Sequence, residues 1–439
     1  MYFPGIQRGF NMRYLVIVFL FVTSLLGQTP ISGTAGGNWT AEGSPYQIVG
    51  NVFIPLDSAV YVSADVEVAF LGDYTINVSG ELHVINAWIH GPGAINSTGL
   101  LRFNNSHIDS LRSGILCTNG MVTSCESYFQ YSGSAGVTLN GADSARFCTS
   151  YFLENQTHGL KVQNTDSVRI EYSFFEGNGI SNIAYPALYL DGASPQRLRH
   201  NIVRFNHGAG IGVWNTAGPA FPLIQHNYLE GNYRGIDVYR ASPVIEDNII
   251  VGNGIPDNPA SGDGIRVFGV TGTSVLCNRN YIAGNHQGVR NLETAAINLG
   301  DMVNDWPGDD GENFFANNSY HDADWNIWNG SDETLMAQNN FWPGLTTAEI
   351  DGTIRDDDEG FGGEVVFEPM YAETPPVGDL NQDGLLDIRD LALAVETATV
   401  GVPGVNVPPA AHYYQADLDG NYTIDINDFV TLIELILNP

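Results

Sequence analysis

The sequence predicts an all-β solenoid of stacked parallel coils followed by a small α-helical unit. Three observations predict it. The first is an internal repeat: Ser150-Tyr151-Phe152, Ser173-Phe174-Phe175, Asn201-Ile202-Val203, Asn227-Tyr228-Leu229, Asn248-Ile249-Ile250 and Asn280-Tyr281-Ile282 begin at intervals of 23, 28, 26, 21 and 32 residues. Five residues after each start stands an Asn: Asn155, Asn178, Asn206, Asn232, Asn253 and Asn285. The second is the pattern inside each unit, two short alternating runs rich in β-branched and aromatic residues, too short for helices. The third is a duplicated acid-rich loop near the C-terminus, each copy leading into a helical pattern.

A unit of about 22 residues cannot bury its own inner face, so units stack in register at about 4.8 Å per coil. Apolar residues then form inward ladders. An Asn at a fixed place suits an inward or left-handed corner, where stacked amides bond up the column. The motif Gly-apolar-x-apolar recurs as Gly159-Leu160-Lys161-Val162, Gly210-Ile211-Gly212-Val213, Gly235-Ile236-Asp237-Val238 and Gly264-Ile265-Arg266-Val267. On these residues the chain resembles the right-handed parallel β-helix family, the pectate-lyase-like fold. Leucine-rich and helical repeats are excluded by the absence of a Leu grid and of amphipathic helices.

Taken in order, residues 1–27 read as a secretory signal. Arg8 and Arg13 precede the apolar run Tyr14 to Val22, and Ser24 and Gly27 follow. The run is too short for a transmembrane helix and none follows, so the expected location is secreted, extracellular or at the cell surface. Alternating strands from Ser44 to Val84 lack the Asn signature and are expected to cover the first open coil. The solenoid is placed within residues 28–371. Its insertions are Ile180 to Pro186, Thr216 to Pro222, Gly254 to Gly262 and the acidic Asn298 to Asn317, the last expected to be solvated. Asp351 to Pro369 is expected to close the last coil. Cys125 and Cys148 each sit two residues before a repeat start and should stack in neighbouring coils. A disulfide would fit that spacing, but parallel Cβ vectors favour a ladder of buried thiols.

Residues 372–378, with Pro375 and Pro376, read as a linker. Residues 379–439 carry the strongest chemical motif. Asp379, Asn381, Asp383, Asp387 and Asp390 occupy positions 1, 3, 5, 9 and 12 of a loop with Gly384 at position 6, and the position 7 carbonyl belongs to Leu385. Asp417, Asp419, Asn421, Asp425 and Asp428 repeat this 38 residues on, with the Thr423 carbonyl. A hard cation takes six to eight oxygens, and alternate residues of a tight loop converge on one centre, so the expected ligand is Ca2+. Tyr422 replaces Gly at position 6 of the second loop, where a positive φ disfavours a β-carbon. Leu391, Ala394, Val395 and Ala398, and Phe429, Leu432, Ile433 and Ile436, form one apolar stripe per helix. No helix is expected before either loop. The duplicated loop–helix resembles the type I dockerin family. That resemblance implies a calcium-folded module that binds a cohesin domain on a scaffold, with Ile388, Arg389, Ile426 and Asn427 near the contact.

The chain of 439 residues has a net charge of −32 and a single lysine, Lys161. Without a basic patch it is excluded from nucleic-acid binding. Outward positions of the Gly-apolar-x-apolar strand are Thr138, Lys161, Tyr189, Gly212, Asp237, Arg266 and Arg290, flanked by Trp214 and Tyr239. Lys161, Asp237 and Arg266 are the candidate catalytic residues, although a surface salt bridge accounts for the last two. The motifs of polygalacturonase-like glycosidases do not follow in order, and Asn164-Thr165-Asp166 reads as a turn. The sequence thus points to a non-catalytic, carbohydrate-associated β-helix tethered by its dockerin to a cohesin. The alternative is a polysaccharide lyase or O-glycosyl hydrolase.

Overall fold

The computed structural model describes residues 28–437 except 196, 256–257, 259–260, 305–306, 321–322, 372–375, 401 and 403. The expected signal, residues 1–27, lies outside the described residues. From Thr29 onward the chain winds as a parallel β-helix with three walls. One wall is a sheet of 14 parallel strands running from Gly37–Trp39 to Val365–Val366. A second consists of three-residue strands such as Tyr151–Leu153, Phe174–Glu176, Tyr228–Glu230 and Tyr281–Ala283. The third holds the Gly-apolar-x-apolar strands, among them Leu160–Gln163, Leu188–Asp191, Arg234–Tyr239 and Asp263–Gly269. The parallel pairing of Thr29–Thr34 with Tyr46–Ile54 starts the stack ahead of Ser44, where the alternation first becomes readable.

Successive coils pair in strict register, for example Phe152 with Phe175 and Val238 with Val267. Side-chain period two sends one set inward, where Phe129, Phe152 and Phe175 stack with centroids 5.2 and 4.6 Å apart. Two polar columns replace apolar ones at the corners. In one, Asn155, Asn178, Asn206, Asn232, Asn253, Asn285, Asn318 and Asn326 are joined by amide bonds of 2.8–3.1 Å. The repeat starts form the other: Ser106, Ser127, Ser150 and Ser173 lead into Asn201, Asn227, Asn248, Asn280, Asn313 and Asn340, whose amides bond at 2.9–3.0 Å. The Asn side chains point inward and are not themselves left-handed. The residue before nearly every one is: Glu154, Phe205, His200, His226 and Asp247 all have φ near +50°, as does Tyr172 before Ser173. This division has a physical basis. The left-handed residue turns the corner with its side chain outside the core, while the next residue satisfies backbone groups that the turn leaves unpaired.

At the far end, Ile354–Arg355 and Val365–Val366 pair onto the last coil, and helix α1 (Thr347–Asp351) buries Ile350. The acidic insertion is exposed from Met302 to Asn304, as expected, but turns one carboxylate inward. Asp309 is buried and accepts bonds from Asn298 at 2.9 Å and Asn304 at 3.0 Å. Cys125 and Cys148 are paired as a disulfide, with Cα atoms 4.7 Å apart, and they sit on half-exposed outward positions rather than in a buried thiol column. In-register neighbours on one wall lie close enough to bridge. Cys117 and Cys277 are the buried free thiols.

The C-terminal unit holds α2 (Ile388–Thr397), α3 (Ala410–Ala416) and α4 (Ile426–Leu437). The expectation that no helix precedes the second loop is corrected by α3. Pro409 at its N-cap and Ala410, Tyr413 and Ala416 on its buried side make this short helix. Leu380, Ala394, Ala416 and Leu432 form a small core. The unit is also not a free tail. Val407, Ala410 and Tyr413 join Phe174, Ile202, Tyr228, Ile249, Tyr281, Phe314 and Phe341 in a second apolar cluster on the outside of the short-strand wall.

Candidate functional site

Two places concentrate chemistry. The first is the outer strip of the third wall. Thr138, Lys161, Tyr189, Gly212, Asp237, Arg266 and Arg290 stand in register there, and Trp328 and Arg355 continue the column. Asp237 and Arg266, expected to form a surface salt bridge, are a buried one. The guanidinium meets the carboxylate side-on, Nε to Oδ1 and Nη2 to Oδ2, both 2.8 Å, and Asp237 is 5% exposed. Arg234 links to Asp263 at 2.9 Å, and Arg290 lies 3.9 Å from the same carboxylate. Burial raises Asp263 despite the neighbouring Arg234 and Arg290. Both carboxylates are occupied by guanidinium groups, so neither stands ready as a nucleophile or general base. Beyond them the Arg290 and Arg355 guanidinium groups lie 4.1 and 4.4 Å from the ring centroid of Trp328.

The other half of the strip is built around Lys161. Its Nζ lies 5.7 Å from the ring centroid of Tyr189 in the next coil, and among the described residues it has no carboxylate within ion-pair distance. Sequence reasoning missed its neighbours. His158 is buried, stacks on Tyr189 at 4.9 Å, and donates from Nδ1 to the Pro186 carbonyl at 2.7 Å. That bond leaves Nε2 as the lone-pair nitrogen. Burial, with Lys161 nearby, lowers His158 to about 4, so the ring is neutral. Tyr189 donates to Asp191 at 3.0 Å, and burial raises the phenol. Asp191 also accepts from Thr216 N–H at 2.7 Å and Ala217 N–H at 2.8 Å, and these bonds outweigh burial and lower it. Two inserted loops therefore frame this half, Ile180 to Pro186 through Pro186 and Thr216 to Pro222 through Thr216. Gly212 carries no side chain because a β-carbon there would collide with Pro186. The signals were in the sequence only as insertions, since nothing local says where their tips land.

The second place is the pair of acidic loops, whose hydrogen bonds match position for position. Position 1 accepts from the N–H groups of positions 5 and 6: Asp379 from Asp383 (3.2 Å) and Gly384 (2.9 Å), Asp417 from Asn421 (3.1 Å) and Tyr422 (3.0 Å). Position 12 reaches back to positions 3 and 9: Asp390 to Asn381 (3.2 Å) and Asp387 (2.9 Å), Asp428 to Asp419 (3.2 Å) and Asp425 (2.8 Å). Positions 4 and 6 are left-handed in both, Gln382 (57°) and Gly384 (80°) against Gly420 (68°) and Tyr422 (67°). Tyr422 thus adopts the conformation that its β-carbon disfavours.

The loops differ in charge balance. Arg389 reaches into the first, 2.9 Å from Asp383 and 2.6 Å from Asp387. In the second, the equivalent residue is Asn427, and oxygens of Asp417, Asp419 and Asp428 lie within 4.8 Å of one another. Burial pushes Asp417 up to about 6, with bonds from Tyr422 and Tyr281 offsetting part of the rise and Asp428 adding to it. Three converging carboxylates, Asp417 and Asp428 buried and Asp419 exposed, with no ion-pair partner among the described residues, are a donor set that fits a hard cation.

A family model described as "Protein of unknown function (DUF1565)" matches residues 154–347, and one described as a right handed beta helix region matches 81–222. No curated protein matches the chain. Among solved structures, the periplasmic alginate epimerase AlgG shares 11% identity over 71% of this chain and 74% of its own, with a TM-score of 0.34. The Azotobacter vinelandii mannuronan C-5 epimerase AlgE4 A-module shares 12% over 71% and 88%, with a TM-score of 0.29. Pectate lyase Pel9A shares 14% over 79% and 80%, with a TM-score of 0.24. Among the described residues no helix is long and apolar enough to cross a membrane.

Proposed function

We propose that this chain is an exported, carbohydrate-associated β-helix that a calcium-binding dockerin attaches to a cohesin on a scaffold or cell surface. The observation that carries the tether is the matched hydrogen-bond register of the two acidic loops. Asp379, Asn381, Asp383, Asp387, Asp390 and the Leu385 carbonyl would hold one Ca2+. Asp417, Asp419, Asn421, Asp425, Asp428 and the Thr423 carbonyl would hold the other. Bound calcium supplies the positive charge that these oxygens lack, and folding of the unit follows from it. Ile388 and Ile426, at equivalent places in α2 and α4, are 69% and 68% exposed, and with Val395, Val430 and Leu437 they offer an apolar surface to a partner. The Cys125–Cys148 disulfide supports export, because such bonds persist in oxidising compartments.

For the solenoid, the third-wall strip supports retention of an acidic polysaccharide. It sets five cations (Lys161, Arg234, Arg266, Arg290, Arg355) against three carboxylates (Asp191, Asp237, Asp263), an excess of two in a chain of net charge −32. Aromatic residues Tyr189, Trp214, Tyr239 and Trp328 lie along it. A second reading, polysaccharide lyase, is favoured by one observation: neutral His158, its Nε2 without a hydrogen-bond partner among the described residues, beside Lys161 and Tyr189. A glycoside hydrolase is disfavoured because Asp237 and Asp263 are held by arginines.

Two experiments test this. Calorimetry with Ca2+ should give two binding events, and retention on a panel of cohesin domains should vanish in chelator. Absence of calcium binding sinks the tether. Affinity electrophoresis on neutral and uronate polysaccharides should show retardation only by the latter and loss of it in Lys161→Ala. Unsaturated products released from the same polymers would replace the binder with the lyase.

A further inference from the structure

From His107–Asp109 onward, each three-residue strand of the second wall follows a buried Ser or Asn, and its first residue points outward. In the earlier coils that column, Trp88, His107, Tyr128 and Tyr151, is exposed or half-buried. Beyond them it reads Phe174, Ile202, Tyr228, Ile249, Tyr281, Phe314 and Phe341, and every one is buried. What buries them is the C-terminal unit. Tyr413 of α3 lies 6.3 Å from Tyr228 and 5.4 Å from Tyr281, and Tyr414 lies 5.1 Å from Phe314. Polar contacts fix the placement at the edge: Tyr172 Oη donates to Asn406 at 3.1 Å, and Val407 N–H donates to His200 Nδ1 at 3.2 Å.

The two acidic loops stand differently toward this wall. Tyr281 Oη donates to Asp417 Oδ2 at 3.2 Å, so a solenoid residue bonds directly to position 1 of the second loop. Tyr422, the residue at position 6 with φ +67°, lays its ring over the corner at Gly284. A β-carbon on Gly284 would strike that ring. The strained tyrosine is therefore an anchor: its ring packs on the wall, and its carbonyl accepts from Tyr413 Oη at 2.8 Å. Asp379, position 1 of the first loop, bonds only within its own unit among the described residues, and position 6 there is Gly384.

We propose that the aromatic column of the short-strand wall is the receptor for the C-terminal unit, with Tyr281 as a positioning residue for the second loop, so that cation binding there and seating on the wall are one linked equilibrium. This rests on the reading that the loops bind calcium. By reciprocity, whatever strengthens seating strengthens that site, and filling the site strengthens seating. Tyr281 acts as an outer partner of a ligand, fixing the orientation of the Asp417 carboxylate.

The test uses the full chain. Calorimetry with Ca2+ on wild type, Tyr281→Phe and Gly284→Asn is combined with hydroxyl-radical footprinting of Tyr228, Tyr281 and Phe314. Tyr281→Phe keeps the ring and removes the bond; Gly284→Asn tolerates the left-handed corner and displaces Tyr422. Each should weaken one calcium site about tenfold and leave the other within about twofold. Chelator should expose the three aromatic side chains to oxidation in wild type. Two unchanged sites in both variants, or equal protection with and without calcium, overturn the coupling while leaving calcium binding intact. No calcium binding in wild type overturns both.

Discussion

Replacing Asn232 by Ala tests whether the amide column holds the coils together. Asn232 is fully buried, and its side chain takes part in four hydrogen bonds. Oδ1 accepts from Asn206 N–H (3.2 Å) and Asn206 Nδ2 (2.9 Å), while Nδ2 donates to the Val203 carbonyl (2.9 Å) and Asn253 Oδ1 (3.1 Å). Asn206 Nδ2 keeps the carbonyls of Phe175 and Arg204, but the Asn206 N–H loses its acceptor. Four bonds at about 1 kcal/mol net each, one of them leaving a buried donor unpaired, amount to about 3–5 kcal/mol. Asn232→Asp should cost at least as much, because it keeps the acceptor, loses both donors and buries a charge. Asn104→Ala, an exposed strand position, should stay within about 0.5 kcal/mol. Urea unfolding followed by far-UV circular dichroism reads all three. A loss under about 1 kcal/mol for Asn232→Ala would refute the column as a source of stability, since one ordinary exposed bond is worth that much.

The Asp237–Arg266 pair should behave as a buried ion pair. Asp237→Asn should cost about 3–5 kcal/mol, whereas Asp237→Leu with Arg266→Met should recover most of it, measured by the same unfolding transition. Reducing or replacing Cys125 and Cys148 by Ser should cost about 3 kcal/mol, the loop-closure value for a sequence separation of 23. Seating of the C-terminal unit should weaken in acid. His200 accepts a bond from Val407 and is lowered to about 4, chiefly by burial and then by His226 and Arg199. His226 and His412 are lowered too, chiefly by burial, with Asp247, Glu246 and Glu396 acting in the opposite sense. Through these histidines the lifted unit takes up protons more readily, so their contribution to seating is complete above about 6.5 and is lost as pH falls toward 4, while Asp417, raised to about 6 by burial, acts in the opposite sense. Footprinting of Tyr228 across that range reads it, and His200→Asn, which keeps an acceptor at a left-handed corner, should blunt the response. An acid response in His200→Asn equal to that of wild type contradicts the assignment.

The architecture was legible because it is local and repeated. Each coil states its own corners, its inward residues and its ladder position, and register between identical units needs no further information. The outward order Thr138, Lys161, Tyr189, Gly212, Asp237, Arg266, Arg290 could therefore be written down from spacing alone. The acidic loops were legible for the same reason, since their oxygens lie within twelve consecutive residues. What depended on distant segments was not. His158, Asp191 and Thr216 come together only because two insertions fold back over the strip. Asp309 turns inward where exposure was expected, and Arg389, itself exposed, folds back onto Asp383 and Asp387. The aromatic residues after each repeat start, taken in sequence as one more strand position, are an outward face with a cover. Alternation says which residues leave the core, but not what meets them outside. That meeting rests on contacts between residues more than a hundred positions apart, Tyr281 with Asp417 and His200 with Val407, which no periodicity encodes. The sequence by itself determined the coil, its column of Asn five residues after each start and the two matched acidic loops. Only the tertiary structure decided that Tyr281 of the solenoid wall hydrogen-bonds Asp417 of the second loop, because that contact joins segments 136 residues apart.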